Sequence, residues 1–78
     1  MKNNDLVQIG ANIKAMRTEK GYIQKAFALA VKLDVSYFGG VERGDRNLSA
    51  LNLIKISRAL REPVSELFKG VKYETKES

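Results

Sequence analysis

The residues best suited to recognise another molecule lie in a short segment that begins at Asp34. Its carboxylate can cap a helix, which would place Val35, Ser36 and Tyr37 in the first turn. A helix that enters the major groove of DNA presents its N-terminal residues to the base edges. Ser36 and Tyr37 can form hydrogen bonds through their hydroxyls, whereas Val35 offers only apolar contact, for example with a thymine methyl. Residues 35–37 are therefore the candidate base-reading set.

Gly39 and Gly40 lie in the middle of the same predicted helix. Two adjacent glycines in a helix interior cost roughly 1–2 kcal/mol relative to alanine. They share a helical face with residues 35 and 36. We therefore expect this face to approach DNA closely, with base reading confined to the first turn. An alternative stays open, in which one glycine, most plausibly Gly40, turns inward and packs against the preceding helix.

Polar and cationic side chains around this segment could hold a phosphate backbone. Arg43, Arg46 and Asn47 flank the loop after the helix and can reach phosphates, although a solvated loop charge explains Arg46 nearly as well. Lys25 adds positive charge on the preceding helix, while Lys32 is better explained as part of a solvated face. Fourteen Lys and Arg against nine Asp and Glu give a formal charge of +5. This excess favours an anionic partner, nucleic acid before a membrane surface, about as well as it fits a merely solvated surface.

The composition excludes several kinds of chemistry. The 78 residues suffice for one small domain and include neither cysteine nor histidine. An ordinary zinc site, a cysteine nucleophile and a histidine general base are therefore all excluded. No spacing brings Ser, Tyr and Lys into a nucleophile–base pair, so we expect a protein that is not an enzyme and that uses no metal or cofactor. The absence of a long apolar run or a signal peptide predicts a cytoplasmic protein with no membrane partner.

Hydrophobic spacing predicts that five helices position these residues. The first is expected over residues 5–20, with Asp5 as its cap and an apolar stripe at steps of three and four. The fourth is expected to start at a Ser49 cap and to end near Leu60. The remaining helices are expected over residues 24–31, 35–44 and 63–68. The expected fold is all-α, with residues 1–70 as a DNA-binding and dimerisation domain and residues 71–78 as a polar, disordered tail.

The fourth predicted helix is apolar on more than one face. A domain this small cannot bury all of that surface by itself, so part of it should meet another subunit. Without disulfides or metals, association with a second copy is also the remaining way to stabilise so small a core. We therefore expect a homodimer. The candidate dimer residues are Leu51, Asn52, Lys55, Val64 and Phe68.

The stretch QKAFALAVKLDVSYFGGVERG resembles the helix-turn-helix of the lambda-repressor-like (XRE) family. The resemblance covers residues 9–68 and includes the flanks IGANIKAMRTEKG and RNLSALNLIKISRAL. Within that family, the chain looks most like the controller proteins of restriction–modification systems, through YFGGVERGDRN and LSALNLIKISRAL. The matching motif residues are Gln24, Ala28, Val41, Glu42, Arg43 and Gly44.

The resemblance implies a compact five-helix domain that binds palindromic operators as a homodimer. Controller proteins activate and then repress their own gene and the endonuclease gene, which also implies RNA polymerase as a partner. It further implies that Gln24 contacts phosphate and that Arg17 pairs with Glu42 inside the domain. A phage-type repressor, an antitoxin-like regulator and a protein-interaction module without DNA binding remain as alternatives.

Three positions depart from the family pattern. Ile23 stands where many relatives place Ser or Thr, which removes the expected cap of the second helix at roughly 1 kcal/mol. Lys25 replaces a residue that is often acidic, and Val35 replaces an arginine common in controller proteins. Without that arginine, a bidentate contact with guanine is lost from this position. These departures bear on the operator sequence rather than on the fold.

Overall fold

The computed structural model describes residues 3–72 and consists of five helices joined by short turns. They are α1 (Asn4–Glu19), α2 (Gln24–Ala30), α3 (Val35–Arg43), α4 (Ala50–Leu60) and α5 (Val64–Leu67). No strand occurs among the described residues. The all-α prediction with five helices is confirmed, and every helix end lies within three residues of its predicted position.

Local capping interactions explain most of these boundaries. The carboxylate of Asp34 accepts a hydrogen bond of 3.0 Å from the backbone N–H of Tyr37, and Ser49 Oγ accepts one of 3.0 Å from Asn52 N–H. Both predicted caps are confirmed. The predicted cap of α1 is wrong, because Asn3 Oδ1 accepts from the N–H of Asp5 at 2.8 Å. Asp5 lies in the first turn instead, where its negative charge interacts favourably with the positive end of the helix dipole.

The core lies where α1, α2 and α3 meet the inner faces of α4 and α5. Phe27 of α2 and Phe38 of α3 are fully buried, with their ring centroids 5.4 Å apart. Tyr22 packs edge-on against Phe27, also at 5.4 Å. The buried hydrophobic residues are Ile9, Ile13, Phe27, Ala28, Val31, Phe38, Val41, Ile56, Leu60 and Leu67. The aromatic stack fixes α2 against α3.

A side chain of α1 fastens the end of α5. The Nδ2 group of Asn12 donates to the carbonyl oxygens of Leu67 at 2.9 Å and Lys69 at 2.7 Å. Gln8 Nε2 donates in turn to Asn12 Oδ1 at 2.9 Å. Val71 follows and packs against the core, so the chain remains folded beyond the expected start of the tail. Residues 73–78 of that predicted tail lie outside the described residues.

Replacing Asn12 should destabilise the domain, because the carbonyl groups at the end of α5 would lose their donors. We expect Asn12→Ala to lower the free energy of unfolding by about 1–3 kcal/mol. Asn12→Asp has nearly the same shape but offers no donor, so it should cost at least as much. Urea denaturation followed by circular dichroism at fixed protein concentration measures both, with the exposed Lys14→Ala on the same helix as control. A well-tolerated Asn12→Asp variant would contradict the assigned role of these hydrogen bonds.

Candidate nucleic-acid interface

The helix-turn-helix consists of α2, a short turn and α3. The turn passes through Lys32, whose backbone adopts a left-handed conformation with φ of +59°. Leu33 N–H then donates to the carbonyl of Ala28 at 2.9 Å, which closes the turn. Gly44 ends α3 in a left-handed conformation, with φ of +83°, where a Cβ atom would collide with the backbone of Val7. Helix α3 is thus held by α1 and α2 on one side and exposed at its first turn on the other.

A buried ion pair ties α3 to α1. Arg17 Nε lies 2.6 Å from Glu42 Oε2, and Arg17 Nη2 donates to Glu42 Oε1 at 3.0 Å. Only 7% and 2% of the two side chains are exposed to solvent. Arg17 Nη1 also donates to the carbonyl of Tyr22 at 2.7 Å, just before α2. The predicted pairing of Arg17 with Glu42 is confirmed.

Gln24 joins this ion pair, which sequence reasoning missed. Its Nε2 donates to Glu42 Oε1 at 2.8 Å. The Glu42 carboxylate of α3 therefore accepts hydrogen bonds from both α1 and α2. The side chain of Gln24 is half-buried and lies beside Gly39. Glu42 therefore fixes the orientation of the amide that the family resemblance assigns to phosphate. Because Glu42 follows Gln24 by eighteen residues, no local sequence pattern indicates this contact.

The first turn of α3 presents its three candidate residues differently. Ser36 is exposed, whereas Val35 and Tyr37 are half-buried and pack against the edge of the core. The hydroxyl of Tyr37 donates to the carbonyl of Asn47 at 2.5 Å. Asn52 Nδ2 lies 3.5 Å from the same hydroxyl. Tyr37 therefore ties the loop after α3 to the helix while remaining partly exposed.

The two glycines of α3 lie beneath candidate DNA contacts rather than against an apolar core. A Cβ atom on Gly39 would lie 3.3 Å from Arg43 Nη1 and 3.5 Å from Gln24 Oε1. A Cβ atom on Gly40 would overlap the side chain of Arg46. Gly39, not Gly40, is the glycine that faces the preceding helix, and what it faces there is the polar end of Gln24. The glycine pair therefore makes room for these long polar side chains.

Positive charge surrounds the exposed part of α3. Arg43 is largely exposed, and its Nε lies 3.0 Å from Asp45 Oδ2. Such a surface pair contributes little in water, so the guanidinium can exchange this carboxylate for a phosphate at small cost. The guanidinium of Arg46 lies 5.2 Å from the centre of the Tyr37 ring. Asn47, next to Arg46, is exposed, and so is Lys25, next to Gln24 on α2. Within residues 3–72, no contact joins Lys25 to Arg43 or Arg46.

The candidate dimer residues form a second set, on α4 and α5. Leu51 is 72% exposed, the largest exposed fraction among the large hydrophobic side chains of the described residues. Phe68 and Lys55 are exposed, while Val64 is half-buried. Asn52 is half-buried and contacts Tyr37, so one residue of this set touches the candidate reading helix. The structure thus places the two surfaces side by side.

Between residues 3 and 72, no group of three or more acidic side chains is arranged to hold a metal ion. An open groove of about 350 Å³ between α1 and α5 is lined partly by Glu19, Glu62 and Glu66. None of the helices in this part of the chain is long and apolar enough to cross a membrane.

The sequence model of the helix-turn-helix family matches residues 13–67, which span the second part of α1 and all of α2, α3, α4 and α5. The control protein C.MunI of Mycoplasma sp is 40% identical over 73 residues, covering 91% of this chain and 99% of that protein. This chain belongs to the helix-turn-helix control-protein family. The control protein C.BamHI of Bacillus amyloliquefaciens is 36% identical over 61 residues, covering 77% of this chain and 75% of that protein.

A solved structure agrees with this family assignment. The crystal structure of the restriction–modification controller protein C.AhdI from Aeromonas hydrophila superimposes with a TM-score of 0.81 at 45% identity. The alignment covers 85% of this chain and 100% of that one. Both the XRE-like resemblance and the narrower likeness to controller proteins are confirmed.

Arg17 and Glu42 should be strongly coupled in their effects on the free energy of unfolding. Glu42→Leu leaves the Arg17 guanidinium buried without its partner, and we expect a loss of about 3–5 kcal/mol in the free energy of unfolding. Adding Arg17→Met removes the stranded charge, so the double variant should recover much of that loss. Urea denaturation of the two single variants and the double variant measures the coupling. Strictly additive losses would show that the two residues do not act as a pair.

Proposed function

We propose that the protein is a sequence-specific transcription regulator that binds palindromic operators as a homodimer. In this proposal it is the controller protein of a restriction–modification system, which activates and then represses its own gene and the endonuclease gene. The observation that carries the proposal is the exposed Ser36 in the first turn of α3, with Arg46 beside the Tyr37 ring and the exposed Arg43 at the far end of the helix. The Arg17–Glu42 pair ties this helix to α1. The named control-protein relatives support it. A regulator of this kind acts in the cytoplasm, where its DNA lies.

The proposed base contacts come from the leading end of α3. Ser36 is exposed and can bond a base or phosphate, and the surface edges of Val35 and Tyr37 can contact bases beside it. The phosphate contacts surround this tip and fix the register of the helix on the duplex. They are Gln24, Lys25, Arg43, Arg46 and Asn47. Gly39 and Gly40 add no side chains to the middle of the helix, which leaves room there for the side chains of Gln24, Arg43 and Arg46.

The proposed dimer forms through α4 and α5. Leu51 and Phe68 leave apolar surface exposed there, which a second copy of the chain would cover. Asn52, Lys55 and Val64 complete this interface. A two-fold axis through α4 would place the two copies of α3 about 34 Å apart, one turn of B-DNA, which demands a palindromic site. Activation of transcription further implies contact with RNA polymerase beside the operator.

Binding to the DNA upstream of the protein's own gene tests this function. Footprinting should show a protected region with two-fold symmetry and half-sites about 34 Å apart. Affinity should fall steeply as salt rises, because phosphate contacts release counterions. Random DNA of the same length is the control and should bind far more weakly. Equal binding to both DNAs, or none to either, would refute the proposal.

Tyr37 should contribute to discrimination more than to overall affinity. We expect Tyr37→Ala to weaken operator binding by about 1–3 kcal/mol more than it weakens binding to random DNA. Tyr37→Phe keeps the ring but removes the bond to the Asn47 carbonyl, so it separates base contact from support of the loop. Fluorescence anisotropy with labelled operator and random duplexes measures both. Equal losses on the two duplexes would contradict a reading role.

Leu51 should be required for association. A leucine side chain buried in a dimer contributes about 1.5–3 kcal/mol, and a two-fold interface buries it twice. We therefore expect Leu51→Lys to raise the dimer dissociation constant by at least about tenfold. Leu51→Met keeps the apolar surface and serves as the matched control. Sedimentation equilibrium measures both, and an unchanged dimer in Leu51→Lys would exclude this face as the interface.

A further inference from the structure

The side chain of Arg46 crosses the outer surface of α3 directly over Gly40. A Cβ atom built on Gly40 would overlap Arg46 Cγ, and it would lie 3.5 Å from Arg46 Cδ and 3.6 Å from Arg46 Cβ. These are the nearest atoms to that position outside the helix itself. The space that a side chain at residue 40 would fill is therefore occupied by the aliphatic part of Arg46. Gly40 is buried, and the stem of Arg46 lies over it.

The charged end of Arg46 is also placed by α3. Its guanidinium lies 5.2 Å from the centre of the Tyr37 ring, within the range of a cation–π contact. Tyr37 precedes Gly40 by three residues, so the two lie on one face of the helix. The ring is itself held through its hydroxyl, which donates to Asn47 at 2.5 Å. Arg46 therefore rests along α3, with its stem over Gly40 and its charge beside the leading turn.

We propose that Gly40 is a positioning residue for Arg46. Because residue 40 lacks a Cβ atom, the stem of Arg46 can lie against the helix and place its guanidinium beside Tyr37, at the end of α3 that reads DNA. The DNA-binding consequence rests on the proposed function. The proposal differs from close approach of DNA to bare backbone, since the atom that a side chain at residue 40 would displace belongs to the protein.

Gly39 provides a matched comparison on the same helix. A Cβ atom there would lie 3.3 Å from Arg43 Nη1 and 3.5 Å from Gln24 Oε1, which are the free ends of flexible side chains. Arg46 is not among its nearest neighbours. Gly39→Ala and Gly40→Ala are therefore the same chemical change on adjacent residues, and only the second should act through Arg46.

A double-mutant cycle on operator DNA tests the proposal. We expect Arg46→Ala to weaken binding about tenfold and to reduce the salt dependence by about one phosphate contact. Gly40→Ala should reproduce most of both effects in the parent protein but add almost nothing in the Arg46→Ala background. Any effect of Gly39→Ala should be the same in both backgrounds. If Gly40→Ala costs as much with Arg46 absent as with it present, the proposal is overturned.

A second measurement needs no DNA, and so separates this proposal from the proposed function. The ring current of Tyr37 should shift the NMR signals of the Arg46 side chain upfield, and Tyr37→Leu should abolish that shift. Gly40→Ala should abolish it too, while Gly39→Ala should retain it. An Arg46 shift that persists in Gly40→Ala overturns the positioning role, whatever the protein binds. If the shifts behave as expected but operator binding fails, the proposed function is at fault instead.

Folding of the variants provides the last check. Alanine favours helix over glycine by up to about fivefold in the local equilibrium constant, and Arg46 lies on an exposed loop, so Gly40→Ala should remain folded. Circular dichroism and thermal unfolding verify this. A folding defect in Gly40→Ala that persists after Arg46→Ala is added would mean that the scaffold, and not Arg46, requires the glycine. That result would also overturn the proposal.

Discussion

The buried ion pair between Arg17 and Glu42 is the interaction on which the rest of the structure depends. It joins α1 to α3 with two hydrogen bonds, and further bonds reach the carbonyl of Tyr22 and the amide of Gln24. A buried charge is tolerated only when it is paired and fully hydrogen-bonded, and here the geometry meets both conditions. The pair accepts one arrangement of three helices, so it fixes which face of α3 points outward. An apolar contact in its place would be less selective for that rotation.

Once α3 is fixed in this way, its nine residues divide sharply between two environments. Phe38 and Val41 fill the core, whereas Ser36 is left at the surface with Arg43 behind it. The glycines between them carry no side chains that would compete for the outer face. Long polar side chains from α2 and from the following loop occupy that space instead. The candidate recognition surface is thus shared between α3 and long side chains from the segments on either side of it.

The reading surface and the candidate dimer surface are physically joined. Tyr37 connects α3 to the loop through Asn47, and Asn52 of α4 reaches the same hydroxyl. In the proposed dimer, the spacing of the two copies of α3 on DNA would depend on α4, whereas their contacts with DNA would depend on α3 and the loop after it. A rigid link between α3 and α4 would keep a dimer from changing this spacing as it engages DNA. One tyrosine can serve both proposed surfaces because Asn52, a candidate dimer residue, lies 3.5 Å from its hydroxyl.

Local signals in the sequence determined the five helices, the caps at Asp34 and Ser49, and the glycine that ends α3. These features depend on residues within one turn of each other, which is the range over which sequence patterns carry information. The family motif also indicated the Arg17–Glu42 pair and the candidate contacts of the helix-turn-helix. Even so, the cap of α1 was misassigned, since Asn3 and Asp5 are both good caps and only the geometry of the first turn decides between them.

Only the tertiary structure decided which distant side chains meet. The bonds from Asn12 to the end of α5 join residues 55 and 57 positions apart, and no local pattern announces them. The same is true of Gln24 against Glu42, and of Arg46 over Gly40. The two glycines were visible in the sequence, but what lies over them was not, because that depends on the path of the loop after α3. Packing between segments that are remote along the chain sets these contacts, and it is the folded chain as a whole that brings them within reach.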